Sequence, residues 1–299
     1  MEFVTKRKKK RGDRNDGHLL RKAPVINKLM AGLYPNRCEN EVSAKKDLDI
    51  TELLKFIKTK NEEDPLKNLK FFHCFIAIVT RIINERRKLL CFIKNGNFYE
   101  KDEIKISFVA KRGFSDKAEE AVISYYAKGE DNVYSVSQFI TGQVKDARDE
   151  KKIEEKKQRS DSTEGLEKLP PFIFKMMIKF LRWADKHGCI PKDASEEDPS
   201  FSTVLVANLG SIKSSSVYHH LNNYGNCSFM ITIGSMFKKE IINENGEKEI
   251  RDFVDITATF DERIADGFYF IKTVNLMQDY MNHPETLELK FCEDSGLKA

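Results

Sequence analysis

The sequence lacks any hydrophobic run long enough to cross a membrane. A spanning helix needs roughly 20 consecutive apolar residues, and the most apolar stretch, residues 71–79, is short and interrupted by His73 and Cys74. The basic run Lys6–Arg11 is not followed by an apolar block with a small-residue cleavage site, so we expect no secretory signal. These absences exclude a membrane-embedded fold and predict a cytoplasmic protein without a membrane span.

Cysteines are few and scattered. No Cys-x-x-Cys pair occurs, and no histidine stands at zinc-finger spacing from a cysteine. We therefore expect reduced, mostly buried thiols and no metal site. The six positions are Cys38, Cys74, Cys91, Cys189, Cys227 and Cys292.

The composition is that of a folded protein. The 299 residues include 51 Lys and Arg against 47 Asp and Glu, which gives a net charge of +4. Hydrophobic residues make up 40% of the chain, with 21 Phe among them, so a sizeable core can form and wholesale disorder is excluded. The length allows one large domain or two ordinary ones.

Two segments stand apart from the globular pattern. Residues 1–15 form a basic stretch that we interpret as a flexible arm, too polar to pack, and residues 16–299 as a single domain. Within that domain, residues 144–168 alternate charges of both signs with hardly an apolar residue. We interpret this stretch as an exposed helix or linker, with a partner-docking helix as the alternative.

The first half of the domain shows helical and hairpin patterns. Pro65 begins a predicted helix in which apolar residues recur every three or four positions as far as Ile83. Asn95 and Gly96 suit the tight turn of a hairpin between two short apolar strands. After a double proline, residues 172–183 predict an apolar helix.

The last third predicts a sheet with strands buried on both faces. Val204–Ala207 and Phe229–Ile233 are continuous apolar runs that end in glycine turns. The following strand alternates, with Val254, Ile256, Ala258 and Phe260 on one face and Asp255, Thr257 and Thr259 on the other. Next come Asp261–Gly267 and a helix whose stripe is Ile271, Val274, Met277 and Met281.

This order of strand, Asp-Glu-Arg-Ile-Ala-Asp-Gly and amphipathic helix resembles the C-terminal signature of the dihydrolipoyl acyltransferases of 2-oxo acid dehydrogenase complexes. That family shares a His-x-x-x-Asp-Gly motif with chloramphenicol acetyltransferase. Val206–Gly210 is similar to the family's Ser-Asn-Leu-Gly strand end, and Ile231–Gly234 follows at a suitable distance. The resemblance extends over residues 20–290.

The resemblance implies a chloramphenicol acetyltransferase-like two-layer α/β fold with a mixed sheet, a homotrimer, and coenzyme A as the carrier of the acyl group. In the family, the motif histidine takes a proton from a thiol or hydroxyl acceptor, which attacks the thioester of acyl-CoA or acyl-lipoamide. Here that position is Glu262, and the serine that stabilises the oxyanion corresponds to Ala207. The remaining motif, Asp266 and Gly267, implies a structural salt bridge to an arginine.

The candidate site residues follow from these substitutions. Either Arg21 or Arg263 would pair with Asp266. Asn208 matches the asparagine of the family's Ser-Asn-Leu-Gly strand end. Glu262 is a candidate base, with a structural ion pair to a nearby Lys or Arg as the favoured alternative. His219 and His220 could replace the base, since imidazole suits neutral pH, but they could also be packing residues. Ser211, in a Gly/Ser turn, is a candidate contact for a phosphate or pantetheine, with a plain surface turn as the alternative.

Three functions remain open at this level. The first is a CoA-dependent acyltransferase with altered catalytic residues. The second is an inactive trimeric scaffold or acyl-CoA binder, and the third is binding of an anionic surface or nucleic acid through the basic arm. Only the first two account for the folded residues, so we expect no nucleic-acid partner. The sequence also lacks a lipoyl domain and a Pro/Ala-rich linker, which predicts a stand-alone protein rather than a standard complex core.

Overall fold

The computed structural model describes residues 2–111, 120–148, 169–243 and 245–298. Within these ranges it contains seven α-helices and nine strands. The helices are α1 (Val25–Leu33), α2 (Thr51–Glu63), α3 (Phe71–Glu85), α4 (Val133–Arg148), α5 (Pro171–His187), α6 (Lys192–Glu197) and α7 (Gly267–Asn282). The strands are β1 (His18–Leu19), β2 (Glu41–Asp49), β3 (Cys91–Lys94), β4 (Asn97–Glu100), β5 (Lys105–Lys111), β6 (Glu120–Tyr126), β7 (Val204–Asn208), β8 (Phe229–Ile242) and β9 (Lys248–Asp261).

Six strands form the main sheet, in the order β2-β9-β8-β7-β5-β6. β7 runs parallel to both β5 and β8, while the other pairs are antiparallel. The sheet is therefore mixed, which confirms the predicted fold class. A second sheet of three short strands has the order β1-β4-β3.

The two faces of β9 separate the core from the polar side of the sheet. Its apolar face packs towards α3 and α7, and the ring of Phe260 stacks on Phe270 at 4.2 Å. Asp255, Thr257 and Thr259 lie on the other face and are nonetheless buried. The alternation predicted for this strand is confirmed. Because its polar face is also buried, other residues of the chain must cover that side of the sheet.

Local turn chemistry explains where two predictions hold or fail. Asn95 and Gly96 have φ of 51° and 71°, as the tight turn between β3 and β4 requires. The helix predicted from Pro65 is wrong at its start. A short 3₁₀ turn, Pro65–Lys67, ends at Asn68 with a left-handed φ of 41°, and α3 begins only at Phe71. In α7, Ile271 is exposed rather than part of the buried stripe.

The N-terminal segment is bound to the body, which corrects its interpretation as an unpacked arm. Phe3 and Val4 are buried in the main core. Three basic side chains then pair with acidic residues around β4: Lys6 with Glu103, Arg7 with Glu100, and Lys9 with Asp102. The two apolar residues that precede the basic run provide the packing that its charges do not.

The charged stretch 144–168 is described only in part. Residues 144–148 form the end of α4, and residues 149–168 lie outside the described residues. None of the six cysteines, all of which lie in the described residues, forms a disulfide, and Cys74 and Cys91 are the two buried ones. Burial raises the pKa of each of these two thiols to about 12. No helix among the described residues is long and apolar enough to cross a membrane.

Candidate active site

The motif turn after β9 is built around a buried ion pair. Asp261 and Arg263 are both almost fully buried, and Arg263 donates Nη2 to Asp261 Oδ2 at 2.6 Å and Nε to Oδ1 at 2.8 Å. The other amino group of Arg263 donates to the carbonyls of Tyr34 and Pro35 at 3.0 and 2.9 Å. This bidentate pair ties the motif turn to the segment that leads into β2.

A second buried arginine links the turn to the polar side of the sheet. Arg37 Nε lies 3.7 Å from Asp261 Oδ2, and its amino groups donate to the carbonyls of Asn222 and Gly225. Burial lowers the pKa of Arg37, and the charge of Asp261 opposes that shift. Asp261 therefore neutralises two buried cations at once.

Residues 209–228, which we call the histidine loop, connect β7 to β8 across the polar face of the sheet. Ser216 donates both its N–H and its hydroxyl to Asp255, at 2.7 and 2.6 Å. A side chain at Gly234 would have its Cβ 1.9 Å from the Asp255 carboxylate and 2.4 Å from the Ser216 nitrogen. The glycine at this position lets the loop lie directly on the sheet.

The loop also contacts the end of the sheet where the motif turn lies. The N–H of Leu221 donates to Glu41 Oε1 at 2.5 Å, and Glu41 pairs with Asp261 across β2 and β9. Farther along, Lys94 donates to the Asn223 carbonyl at 2.9 Å and forms a buried ion pair with Asp185. Leu221, which follows His220 in the chain, is thus bound to the strand partner of Asp261. The location of the two histidines at the motif turn stays a prediction.

The two histidines form a stacked pair with a defined hydrogen bond. Their ring centroids are 4.9 Å apart, and His219 Nδ1 lies 2.8 Å from the His220 carbonyl oxygen. Because a carbonyl oxygen only accepts, His219 Nδ1 must carry the proton, which leaves the Nε2 lone pair of the neutral ring free. His219 is half-buried, whereas His220 is exposed.

Glu262 is at the surface of the motif turn. Its N–H donates to the Asn40 carbonyl at 2.8 Å. Its carboxylate forms no hydrogen bond or ion pair with any residue that the structure describes, so the predicted pairing with a nearby Lys or Arg is not observed. Next to it, Asn27 of α1 donates to the Arg263 carbonyl at 2.6 Å.

The salt bridge expected at Asp266 is formed by Asp261 instead. Asp266 is exposed and caps α7 by accepting from the Tyr269 N–H at 2.8 Å, while Gly267 is the first helical residue. Arg263 pairs with Asp261, and Arg21 donates to a backbone carbonyl in the N-terminal segment. The arginine partner proposed for Asp266 is thus wrong in this structure, because the arginine lies closer to the carboxylate at the strand end.

Two predicted site residues, Asn208 and Ser211, lie at and just beyond the C-terminal end of β7, away from the motif turn. Asn208 pairs with Ile233, which in turn faces Ile256, five residues before Asp261 on β9. At roughly 3.4 Å per residue, this places Asn208 about 17 Å from the motif turn along the strand. Ser211 is exposed, and its hydroxyl donates to the Asn208 carbonyl at 3.0 Å.

The end of β7 borders a cavity of about 770 Å³. Its lining includes Asn208, Lys70 and His73. His73 is buried, shares a hydrogen bond of 2.9 Å with Ser137, and has its pKa lowered to about 4 by burial and by Lys70. A histidine with so low a pKa binds a proton poorly at neutral pH, so His73 does not supply a charged imidazolium to this cavity.

Two buried lysines, Lys94 and Lys101, donate hydrogen bonds to the histidine loop. Lys101 donates to the carbonyls of Phe201 and Ser202 and to Asn226 Oδ1 at 3.1, 2.5 and 2.5 Å. Burial lowers the pKa of Lys101 to about 7 and that of Lys94 to about 8. At pH 7 to 8, therefore, both lysine side chains are partly deprotonated.

We expect the stability of the protein to depend on pH through Lys101. An unfolded lysine keeps its proton up to about pH 10.5, whereas folded Lys101 releases it near pH 7. Between these values the unfolded state binds more protons, so the free energy of unfolding rises with pH. In urea titrations from pH 7 to about pH 9, the parent should gain stability relative to Lys101→Met. A difference between the two proteins that stays constant with pH would contradict this assignment.

The sequence prediction missed the residues that hold the site together. Asp261 directly precedes Glu262 and ends a buried strand two residues before an arginine, which is a signal that the sequence does contain. Arg37, Glu41, Lys94 and Asp185 carry no such signal, since each is far from the motif in the chain. Among the described residues, no group of three or more His, Cys, Asp or Glu could hold a metal ion.

Solved acyltransferase structures share this fold over most of the chain. The probable dihydrolipoamide acetyltransferase of Listeria monocytogenes has a TM-score of 0.56 at 16% identity, covering 88% of this chain and 94% of its own. The dihydrolipoamide acetyltransferase of Azotobacter vinelandii, studied for catalytic roles of a serine, a histidine and an asparagine, has a TM-score of 0.59 at 11% identity and covers 91% and 95%. The cubic core of a pyruvate dehydrogenase multienzyme complex gives 0.59 at 10%, with the same coverage.

The C-terminal third also matches at the level of sequence. The family described as 2-oxoacid dehydrogenases acyltransferase (catalytic domain) matches residues 191–289, which include β7, the histidine loop, the motif turn and α7. A comparison with curated proteins finds no match. The family match and the shared fold confirm the resemblance inferred from the motif, and the chain contains an acyltransferase-like catalytic domain.

Proposed function

We propose that the protein is a CoA-dependent acyltransferase that moves an acyl group from a thioester to a thiol or hydroxyl acceptor, with His219 as the base. The observation that supports this proposal is the tautomer of His219, whose Nδ1–H donates to the His220 carbonyl. The loop that contains it is bound by Glu41 at Leu221 and by Arg37 at Gly225. The family's own base position is Glu262, and in this proposal His219 offers an imidazole at the same end of the sheet.

The chemistry needs one proton to move twice. Nε2 of His219 accepts the proton of the acceptor's S–H or O–H group, and the acceptor atom bonds to the carbonyl carbon of the thioester. The tetrahedral adduct then collapses with cleavage of the bond between carbon and the CoA sulfur, which takes the proton from the imidazolium. His219 thus returns to its neutral form with Nδ1 still bonded to the His220 carbonyl.

The oxyanion of that adduct lacks the donor that the resemblance implies. Ala207 has no hydroxyl, and the neighbouring Thr232 donates its own to the Val217 carbonyl at 2.6 Å. Loss of one such donor typically costs about 10²–10³ in rate. We therefore propose a slow enzyme, or one whose acceptor supplies the missing hydrogen bond.

We also propose that the active unit is a homotrimer in the cytoplasm, as the resemblance implies. The exposed residues Val25, Ile26, Leu29 and Leu33 of α1 support association, because they form an apolar surface next to the motif turn. A surface of this kind is typical of a protein interface. A neighbouring subunit packed on α1 would cover Glu262 and complete the site.

An inactive scaffold or acyl-CoA binder is the second candidate, because both catalytic positions of the family are substituted. Polyanion binding through the basic arm is less well supported. Three of the six cations of the run Lys6–Arg11 already pair with Glu100, Asp102 and Glu103. The acyltransferase and the binder both require CoA, so binding of CoA separates these two from the third function.

Titration of the whole chain with CoA and acetyl-CoA by calorimetry tests this proposal. We expect saturable heat for both ligands, and a light-scattering mass of three times 34.6 kDa at micromolar protein concentration. A flat titration with both ligands would exclude the acyltransferase and the acyl-CoA binder together. A monomer mass that persists with CoA present would contradict the trimer alone.

A further inference from the structure

Helix α5 carries an apolar stripe that the rest of the described protein leaves uncovered. Phe172, Met176, Phe180 and Trp183 recur at intervals of four, four and three, so they form one line along the helix. Their exposed fractions are 71%, 64%, 62% and 51%. The rings of Phe180 and Trp183 stack with centroids 5.9 Å apart, which makes the stripe continuous.

A row of cations lies directly beside this stripe. Lys175, Lys179, Arg182 and Lys186 recur at intervals of four, three and four and are all exposed. The single acidic residue of the helix, Asp185, is buried and paired with Lys94. Every exposed formal charge of α5 is therefore positive.

The helix is anchored by its C-terminal half, whereas Phe174 and Ile178, on the side away from the stripe, are 43% and 39% exposed. Leu181 and Ala184 pack with Ile190 and Phe201 in a small cluster separate from the main core. Arg14 donates to the Asp185 carbonyl at 2.8 Å. The body of the protein thus fixes the end of α5 and leaves the stripe and the cation row facing outwards.

We propose that α5 docks on an anionic lipid surface, with Phe172, Met176, Phe180 and Trp183 in the acyl-chain boundary and the cation row against the headgroups. Helices with aromatic and aliphatic residues on one face and Lys or Arg on the other bind membrane interfaces in this way. The protein then lies on the membrane without spanning it.

Charge and shape favour lipid over the other occupants. A second copy of α5 packed on the stripe would bring two rows of four cations together. Nucleic acid would satisfy the cations but would leave the apolar stripe in water. A peptide helix needs a groove, whereas this stripe lies on a convex helix. The preceding residues 149–168 contain only two apolar side chains, Ile153 and Leu166, too few to cover it.

Trp183 is the single tryptophan of the chain, so its fluorescence reports directly on this surface. We propose to mix the full chain with vesicles of phosphatidylcholine alone, or with one third phosphatidylglycerol. The emission should move to shorter wavelength and the protein should sediment only with the anionic vesicles. Both effects should disappear at about 1 M salt, where screening extends over only about 3 Å.

Matched variants separate the contribution of the apolar stripe from that of the cation row. Phe172→Ser with Phe180→Ser should reduce vesicle binding at least about tenfold, and Lys175→Glu with Lys179→Glu should reduce it roughly a hundredfold. The control is Ile242→Ser with Ile250→Ser, which changes two exposed residues of the hairpin between β8 and β9 and should bind like the parent.

Two results would overturn the proposal. One is Trp183 emission that stays unchanged with anionic vesicles while the protein remains in the supernatant. The other is an emission shift that needs no vesicles and grows with protein concentration, which would assign the stripe to contacts between copies of the chain. Neither result depends on CoA binding, so failure here leaves the proposed acyl transfer intact.

Discussion

Replacement of Asp261 by asparagine should lower the free energy of unfolding by about 3–5 kcal/mol, the range typical for breaking a buried ion pair. Asp261 is fully buried, accepts hydrogen bonds from Nε and Nη2 of Arg263, and faces Arg37. An amide of the same shape fills the space but leaves two buried guanidinium groups without a counter-charge. We expect a large fall in the denaturant midpoint, measured by circular dichroism.

The matched control is Asp266→Asn in the same turn. Asp266 is exposed and acts as the helix cap of α7, a role that asparagine fills about as well as aspartate. The control should differ from the parent by no more than a few tenths of a kcal/mol. Equal losses in the two variants, or a larger loss for Asp266→Asn, would contradict the assignment of the structural ion pair to Asp261.

Substitution of His219 by alanine should lower the rate of acyl transfer by about 10²–10⁴, the usual contribution of a general base. The alanine removes Nε2, the atom that accepts the acceptor's proton, and leaves the loop contacts of Arg37 and Glu41 in place. Thiol release from acetyl-CoA, followed from pH 6 to 9 for parent and variant, measures the effect. The variant should also lose the part of the pH profile that depends on the base.

His220→Ala and Glu262→Gln serve as comparisons in the same assay. His220 is exposed and contributes its backbone carbonyl, which alanine keeps, so His220→Ala should retain most of the activity. Glu262→Gln should have a small effect, because its exposed carboxylate contacts no described residue that could activate it. Loss of activity with Glu262→Gln and not with His219→Ala would transfer the role of base to Glu262.

The sequence predicted the sheet better than the site, for a physical reason. The strands β7, β8 and β9 and the turn at Asn95 and Gly96 depend on local patterns, which a single sequence contains. Asp261 also pairs with Arg37, more than 200 positions away in the chain, and no local pattern shows that contact. Its pair with Arg263 has a local signal, but the family resemblance pointed to Asp266 as the charged partner.

Exposure was the other property that local patterns did not show. The segment 172–183 was predicted to be an apolar helix and is a helix, but most of its apolar residues face outwards. Phe3 and Val4 show the reverse. The basic run that follows them predicted an exposed arm, but both residues pack in the core. Burial depends on what the rest of the chain places next to a segment, so it had to come from the structure.

Release of free CoA from acetyl-CoA by the unmodified chain, over a panel of thiol and hydroxyl acceptors, tests acyl transfer most directly. We predict release that depends on the acceptor, saturates with acetyl-CoA and falls by at least about a hundredfold in His219→Ala. Acceptor-independent background alone, from a chain that still binds CoA by calorimetry, would contradict the enzyme and leave an acyl-CoA-binding scaffold.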